Sequence, residues 1–203
     1  MKILLISATD FEISDMKSND IFDVLITGVG VPNTIFQLQK KLAENSNYKY
    51  ILQIGFGGVD KNALHINNWK LGDLVAISKD AFGDLGAMEN NRFKSVTDMG
   101  LSQQNNWLAN EHLQKINTKN LPVSDAITCN TITDNTDIIK VHQEYWHADI
   151  ESMEGAALHY VCTAYDIPFL QVRALSNIIG DRDKNNWTIK TAIENIRLFL
   201  NTY

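Results

Sequence analysis

The chain has 203 residues, 44% apolar and 21% charged, with 11 Gly and 3 Pro, which suits one globular domain with its own core and excludes disordered, collagenous and repeat architectures. The formal net charge is −6 and only four residues are Arg, so no basic stripe is present to neutralise a phosphate backbone and nucleic acid is not an expected partner. The first apolar run, residues 3–6, falls far short of the roughly 20 residues of a membrane span and of a secretory leader, so a cytoplasmic protein with no membrane partner is expected.

Runs rich in aliphatic and β-branched residues predict strands over 2–7, 23–27, 50–54, 74–78, 126–129 and 169–175. Apolar residues at helical spacing predict helices through Ile35, Leu38 and Leu42, through Leu108, His112 and Ile116, through Met153, Ala157, Tyr160 and Ala164, and through Ile189, Ile193, Ile196 and Leu200. Residues 23–54 read as strand, glycine turn, helix opened by Pro32 and strand, the length of a right-handed βαβ unit. The alternation predicts one α/β domain over 1–203 on a parallel or mixed sheet, with ligands at the carboxyl ends of its strands.

Several short motifs lie at such ends. Glu12 belongs to the loop after the first strand, where a solvated acid is the ordinary reading. Gly28-Val29-Gly30-Val31-Pro32-Asn33 follows a strand and opens a helix, but has Asn where a dinucleotide fingerprint needs its third glycine. Such a turn presents backbone N–H groups to a polar ligand and serves plain chain reversal equally well. Gly55-Phe56-Gly57-Gly58 implies positive φ or close approach of another group to the backbone. Glu151-Ser152-Met153-Glu154-Gly155-Ala156-Ala157 is expected to start a helix, with Glu154 in its first turn complementing the helix dipole. Arg173 sits inside a predicted buried strand and demands a carboxylate partner, for which Glu12 and Glu154 are the candidates. Asn177, at the end of that strand, suits a turn cap.

Cys129 and Cys162 lie in apolar stretches without CxxC spacing and read as buried thiols. His142 and His147 are five residues apart, on different helical faces, so no metal site is expected. Trp107 and Trp146 suit either an interface or core anchors.

Taken together and in order, these pieces resemble the purine nucleoside phosphorylase and nucleosidase superfamily. The strongest match is Met153-Glu154-Gly155-Ala156-Ala157 followed by Val172-Arg173-Ala174-Leu175-Ser176-Asn177. Within the superfamily, Asn177 leading into residues 178–183 and Trp187, with Gly83-Asp84-Leu85-Gly86-Ala87 and Thr128-Cys129-Asn130-Thr131 upstream, is most similar to the futalosine hydrolases, which serve bacterial menaquinone biosynthesis. The resemblance implies a three-layer αβα sandwich with a central mixed sheet, cleavage of a purine nucleoside by water, no cofactor, and a homodimer or higher homo-oligomer. It also implies roles. Glu12 matches the acid that orients the attacking water, Arg173 its companion, and Glu154 the carboxylate that grips the ribose hydroxyls, with Met153 beside the sugar. Asn177 falls at the purine, and Thr131 and Ile132 fall at the purine-stacking segment. Phe56 replaces a small residue of the family's glycine turn, and Ser152 stands where many nucleosidases carry an acid. Arg182, with Lys184 behind it, is the candidate for a distal substrate carboxylate.

Breaking a glycosidic C–N bond builds positive charge on the sugar and negative charge on the base, so such a site needs an anion near the ribose and hydrogen bonds at the purine. An Asp at the purine end suits a 6-amino group, whereas the fixed N–H₂ and carbonyl of Asn177 suit a 6-oxopurine. Superfamily phosphorylases hold phosphate with arginines from the first half of the chain. The first Arg here is Arg92, which makes water the expected acceptor.

Overall fold

A computed structural model describes residues 1–203 except Asp15. Four parallel-running strands come first to hand: β1 (Lys2–Ser7), β2 (Phe22–Ile26), β3 (Tyr48–Val59) and β10 (Phe169–Ile178), with β1 between β2 and β3 and β3 alongside β10. β4 (Leu74–Phe82), β8 (Val123–Thr128) and β9 (Ile150–Ser152) complete the main sheet, with the short β7 (Leu108–Ala109) on β4. β10 pairs antiparallel with β4, β4 parallel with β8, β8 parallel with β9, and β9 antiparallel with β3. Since β10 also pairs with β3, these five strands close into a ring. A hairpin of β5 (Gly86–Glu89) and β6 (Arg92–Ser95) stands apart from it.

Strand alternation divides the core into layers. Ile3, Leu5, Leu52, Ile54, Val172 and Ala174 pack against Ala192, Ile196 and Phe199 of α5 (Ile189–Leu200). Leu4, Ile6, Ile51 and Phe169 face the other way, onto Leu38 and Leu42 of α1 (Val31–Glu44) and Leu158, Val161 and Cys162 of α4 (Gly155–Ala164). Helices thus cover both faces of a mixed sheet, the αβα arrangement expected. No helix among the described residues is long and apolar enough to cross a membrane.

Several elements differ from the sequence expectation. Residues 108–116 form no α-helix: Leu108 and Ala109 pair with β4 and only Leu113–Lys115 makes a 3-10 turn. Asn110 breaks the pattern, giving its backbone N–H to Ser78 O at 2.8 Å and its side-chain amide to Phe169 O at 2.7 Å. The glycine cluster 55–58, which follows the predicted strand 50–54, continues β3 to Val59. α4 begins at Gly155, because residues 150–152 are spent on a strand between β3 and β8. Two helices, α2 (Lys61–Ile66) and α3 (Thr136–Trp146), were not anticipated. Each is opened by an Asx cap: Asp60 accepts from Asn62 and Ala63, and Asn135 from Asp137 and Ile138. Trp146 is buried, with its ring edge-on to Trp107 at 5.4 Å, so both tryptophans are core anchors.

Candidate active site

A cavity of about 460 Å³ opens at the carboxyl ends of β1, β3 and β10. Glu12, Phe56, Ile132, Met153, Glu154, Asn177 and Arg182 line it, together with Glu151, Phe11, Ile179 and Trp187. A second cavity of about 500 Å³, beside α1 and α4, has a single carboxylate in its lining, Asp84. The acids therefore single out the first.

Glu12 sits in a 3-10 turn, Asp10–Ile13, directly after β1. It is 7% exposed, and a buried carboxylate needs donors. Its Oε2 accepts from Ser7 Oγ at 3.0 Å, from Thr9 N at 2.9 Å and from Thr9 Oγ1 at 3.1 Å, while Oε1 accepts from Phe56 N at 3.1 Å. The acid read in isolation as a solvated loop residue is fixed by four donors.

Glu154 is the residue before α4, with a non-helical backbone, and is 5% exposed. Its Oε1 accepts from Gly30 N at 3.0 Å. Gly30 caps the N-terminus of α1 at φ 90°, so the Gly28–Pro32 turn does present an N–H to an anion, and that anion is Glu154. Burial pushes the Glu154 carboxyl above its ordinary range, against the pull of Arg173.

Arg173 lies under the cavity rather than on its wall, 1% exposed. Its Nη1 is 3.4 Å from Glu154 Oε2 and donates to Phe56 O at 3.3 Å, and Nη2 donates to Gln53 Oε1 at 3.1 Å. Gly55 makes room for this guanidinium: a Cβ there would lie 2.5 Å from Arg173 Nη1 and 3.1 Å from Glu12 Oε1. Of the two explanations offered for the glycine cluster, close approach is the operative one, and Gly55, Gly57 and Gly58 keep negative φ.

At the opposite end, Asn177 extends over Gly58, its Nδ2 3.4 Å from where a Gly58 Cβ would stand. Nδ2 donates to Ile178 O at 2.9 Å, and Oδ1 accepts from Ser176 Oγ at 2.7 Å. Arg182 stacks its guanidinium 5.4 Å from the Trp187 ring centre. Thr131 does not line the cavity; it is exposed and its N–H goes to Asp84 Oδ2 at 3.3 Å.

Behind the site, Ser152 and Thr128 hydroxyls take the first N–H groups of α4, from Gly155 at 3.3 Å and Ala156 at 2.8 Å. Where many nucleosidases carry an acid, this chain therefore has a helix cap. Asp80, fully buried, accepts from Thr128 Oγ1 at 2.9 Å and from Gln171 Nε2 at 3.1 Å, and burial raises its carboxyl to about 6. A Cβ on Gly155 would strike Asp80 Oδ2 and Gln171 Nε2. That contact is the reason for a glycine after Glu154.

Glu151 escaped the sequence reading. In β9 it faces the cavity, with burial raising its carboxyl to about 7. Its carboxylate, the Cys129 thiol and a His142 ring nitrogen lie within 4.8 Å of one another, the one candidate metal-ligand group among the described residues. Burial holds the Cys129 thiol above its ordinary range, which favours the protonated thiol beside Glu151.

Comparisons with known proteins agree with this fold. The futalosine hydrolase of Thermus thermophilus is 27% identical over 180 residues, covering 85% of this chain and 76% of the relative. That of Streptomyces coelicolor is 26% identical over 183 residues, covering 86% and 74%. Among solved structures, a 5′-methylthioadenosine/S-adenosyl homocysteine nucleosidase from Campylobacter jejuni superposes with a TM-score of 0.74 at 19% identity, covering 99% of this chain and 96% of that one. A futalosine hydrolase from Helicobacter pylori gives 0.73 at 13% identity, covering 100% and 98%. The phosphorylase superfamily model matches residues 8–202, nearly the whole length, and the chain belongs to that superfamily.

Proposed function

We propose that this chain is an N-glycosyl hydrolase, one domain over 1–203, that cleaves the N-ribosidic bond of a 6-oxopurine nucleoside, futalosine foremost, releasing hypoxanthine and dehypoxanthine futalosine. One observation carries the reading: two buried glutamates, Glu12 and Glu154, meet around Arg173 at one end of a cavity whose other end is an amide, Asn177. The curated relatives named futalosine hydrolase support the substrate.

In this reading Glu12 takes the proton of the attacking water. Three of its four donors fall on Oε2 and one on Oε1, which leaves an Oε1 lone pair for that water. The water oxygen bonds to C1′ as the C1′–N9 bond breaks and its electron pair passes to the purine. Glu154 accepts the ribose hydroxyls, a grip that strengthens as the sugar gains positive charge. Asn177 donates to the 6-oxo group and accepts from N7–H; an amide cannot supply the N7 proton, which comes from solvent. Met153 borders the sugar, and Phe56 and Ile132 wall the site. The cations lining the cavity, Arg182 and Lys184, follow β10 and suit a carboxylate beyond the ribose. A second copy of the chain at the cavity mouth and a cytoplasmic setting belong to the same reading. Phe11, 61% exposed, and Val29, 49% exposed, stand at that mouth.

A chromatographic assay of inosine, adenosine, methylthioadenosine and futalosine, each with and without phosphate, tests the proposal. Free hypoxanthine from futalosine without phosphate is the expected product. Strict phosphate dependence, or turnover restricted to the 6-aminopurines, overturns it.

A further inference from the structure

We propose that Cys129, His142 and Glu151 form a binding site for one thiophilic divalent cation of the zinc class, between the cavity wall and α3. The inference stands apart from the function proposed above.

Three elements far apart in the chain deliver the ligands. Cys129 directly follows β8, Glu151 is the middle residue of β9, and His142 lies in α3. β8 and β9 pair in register, Thr128 opposite Ser152, and Cys129 N donates to Ser152 O at 2.9 Å, which fixes the thiol beside β9. Gly83 leaves room for the sulfur, since a Cβ there would stand 2.8 Å from Cys129 Sγ. Phe93 meets the His142 ring edge-on, with centroids 5.6 Å apart. No protein group among the described residues hydrogen-bonds to that ring, so its nitrogens are uncommitted.

The three ligand atoms lie within 4.8 Å of one another. An ion at their centre is then at most about 2.8 Å from each, against zinc bonds of about 2.3 Å to sulfur and about 2.0–2.2 Å to nitrogen and oxygen. The shortfall of about 0.5–0.8 Å is within reach of small side-chain rotations by His142 and Glu151, both half-buried. His142 and Glu151 also border a gap of about 10 Å³ among Ile127, Ile139 and Ile179, the space of one small ion and not of an organic ligand. The charges nearby favour a cation: Asp84 and Asp80 act on the Cys129 thiol together with Glu151, and Arg182 alone opposes them at Glu151. On binding, the thiol proton leaves to solvent and the thiolate bonds to the ion. Ligand type sets the class. Thiolate and imidazole suit zinc-like ions, whereas magnesium and calcium take oxygen sets. Three protein ligands leave the fourth tetrahedral position to water. The bound ion ties the end of β8 to β9 and α3, and so stabilises the fold by mass action.

The test uses the full chain after treatment with a chelator and dialysis. Zinc ion alone is titrated by calorimetry and in thermal melts, and cobalt ion is added to read the ligands by absorbance. The expected result is one zinc per chain, a melting temperature that rises with zinc concentration, and a thiolate-to-cobalt charge-transfer band. Cys129→Ala is expected to lose the band and to weaken zinc binding at least about 100-fold, beyond the 10- to 100-fold that losing a partner of a ligand costs. If that variant does not fold, His142→Leu, at a half-buried helix position, carries the same expectation for affinity. A band retained in Cys129→Ala, where Cys162 is the other thiol, overturns the site. So does zinc affinity unchanged in either variant, the mark of an adventitious ion only. A melt raised as much by magnesium as by zinc also overturns it. The expected zinc binding in a protein that turns over no nucleoside supports the site and overturns the function alone.

Discussion

Arg173 Nη1 stands 3.4 Å from Glu154 Oε2, and neither side chain exposes more than 7% of its surface. The pair is the floor of the cavity, and its two members come from different halves of a strand–helix unit: Glu154 from the residue before α4, Arg173 from the middle of β10. Breaking such a pair costs more than the pair contributes, because one charge is left buried without its counterion. Arg173→Met is therefore expected to lose about 3–5 kcal/mol of stability, read from urea unfolding at neutral pH. A loss below about 1 kcal/mol, the scale of an exposed pair, contradicts this account.

Gly55 is in register with Arg173 on the adjacent strand, and the space above it is filled by the guanidinium and by Glu12. Gly55→Ala puts a methyl group 2.5 Å from Arg173 Nη1, so the guanidinium or the β3 backbone must move. The expected result is a fall in kcat/KM of about 100-fold, the scale of a 1 Å misplacement, with a destabilisation of about 1–3 kcal/mol from overpacking. Steady-state kinetics beside a thermal melt separates the two. Unaltered kinetics shows that the Glu12–Arg173 spacing does not matter.

How much of this was legible in the sequence depends on how local the cause is. Strands β1, β4 and β10 and helix α1 follow from hydrophobic period, and the Met153–Ala157 and Val172–Asn177 stretches carried the family resemblance by residue identity. The partner of Arg173 was narrowed to Glu12 or Glu154 by the cost of burying an unpaired charge. That the glycine run 55–58 continues β3 is not legible locally, because the reason for Gly55, a guanidinium from residue 173 lying against it, is more than a hundred positions away. Glu151 was hidden by the same kind of cause: within Ile150-Glu151-Ser152 the strand is three residues long and exists only because β3 and β8 flank it. Helix α3 had a local signal, Asn135 with its Asx cap, that hydrophobic period alone did not reveal. The 108–116 segment shows the opposite error, since helical spacing was present but Asn110 tied the backbone to β4 and β10.

Asn177→Asp converts the amide at the purine end into an acid that, once protonated, donates to N7 and accepts from a 6-amino group. Preference is expected to move toward 6-aminopurine nucleosides. The comparison is kcat/KM for inosine and adenosine in both proteins; since mismatched polar groups in such sites discriminate by about 10⁴, a shift of tenfold or more is readily seen. An unchanged ratio shows that Asn177 does not contact the base.

Asp80 links the site to pH-dependent stability. Its folded pKa of about 6 lies above the ordinary 3.8, so between those values the native state keeps a proton that the unfolded chain has released, and stability falls as pH rises. The span corresponds to about 3 kcal/mol. Asp80→Asn removes this slope, and the site can accept the amide: Gln171 Oε1 has no partner, so a flipped Gln171 accepts from the new Nδ2 while Thr128 and Ala81 still donate to Oδ1. Relative to the unaltered protein, the variant is expected to gain about 3 kcal/mol on going from pH 4 to pH 6, measured by urea unfolding. His159, kept neutral by burial down to about 4, has the opposite slope in the same window, which makes the difference between the two proteins the informative quantity. A pH-independent difference contradicts the raised carboxyl.

Arg182 tests the far end of the cavity. Its guanidinium lies against Trp187, which fixes its plane, and Lys184 stands on the same wall. A carboxylate carried beyond the ribose would find a charge-assisted donor there, worth about 1.5–3 kcal/mol, whereas inosine has no group to reach it. Arg182→Ala is therefore expected to raise KM for futalosine by about 10- to 100-fold and to leave KM for inosine within a factor of about two to three. The two substrates share the purine and the ribose, so the contrast isolates the distal group from any general damage to the loop after β10. Equal changes for both substrates show that Arg182 acts on the loop or on the base, and an unaltered futalosine KM shows that the distal carboxylate is held elsewhere.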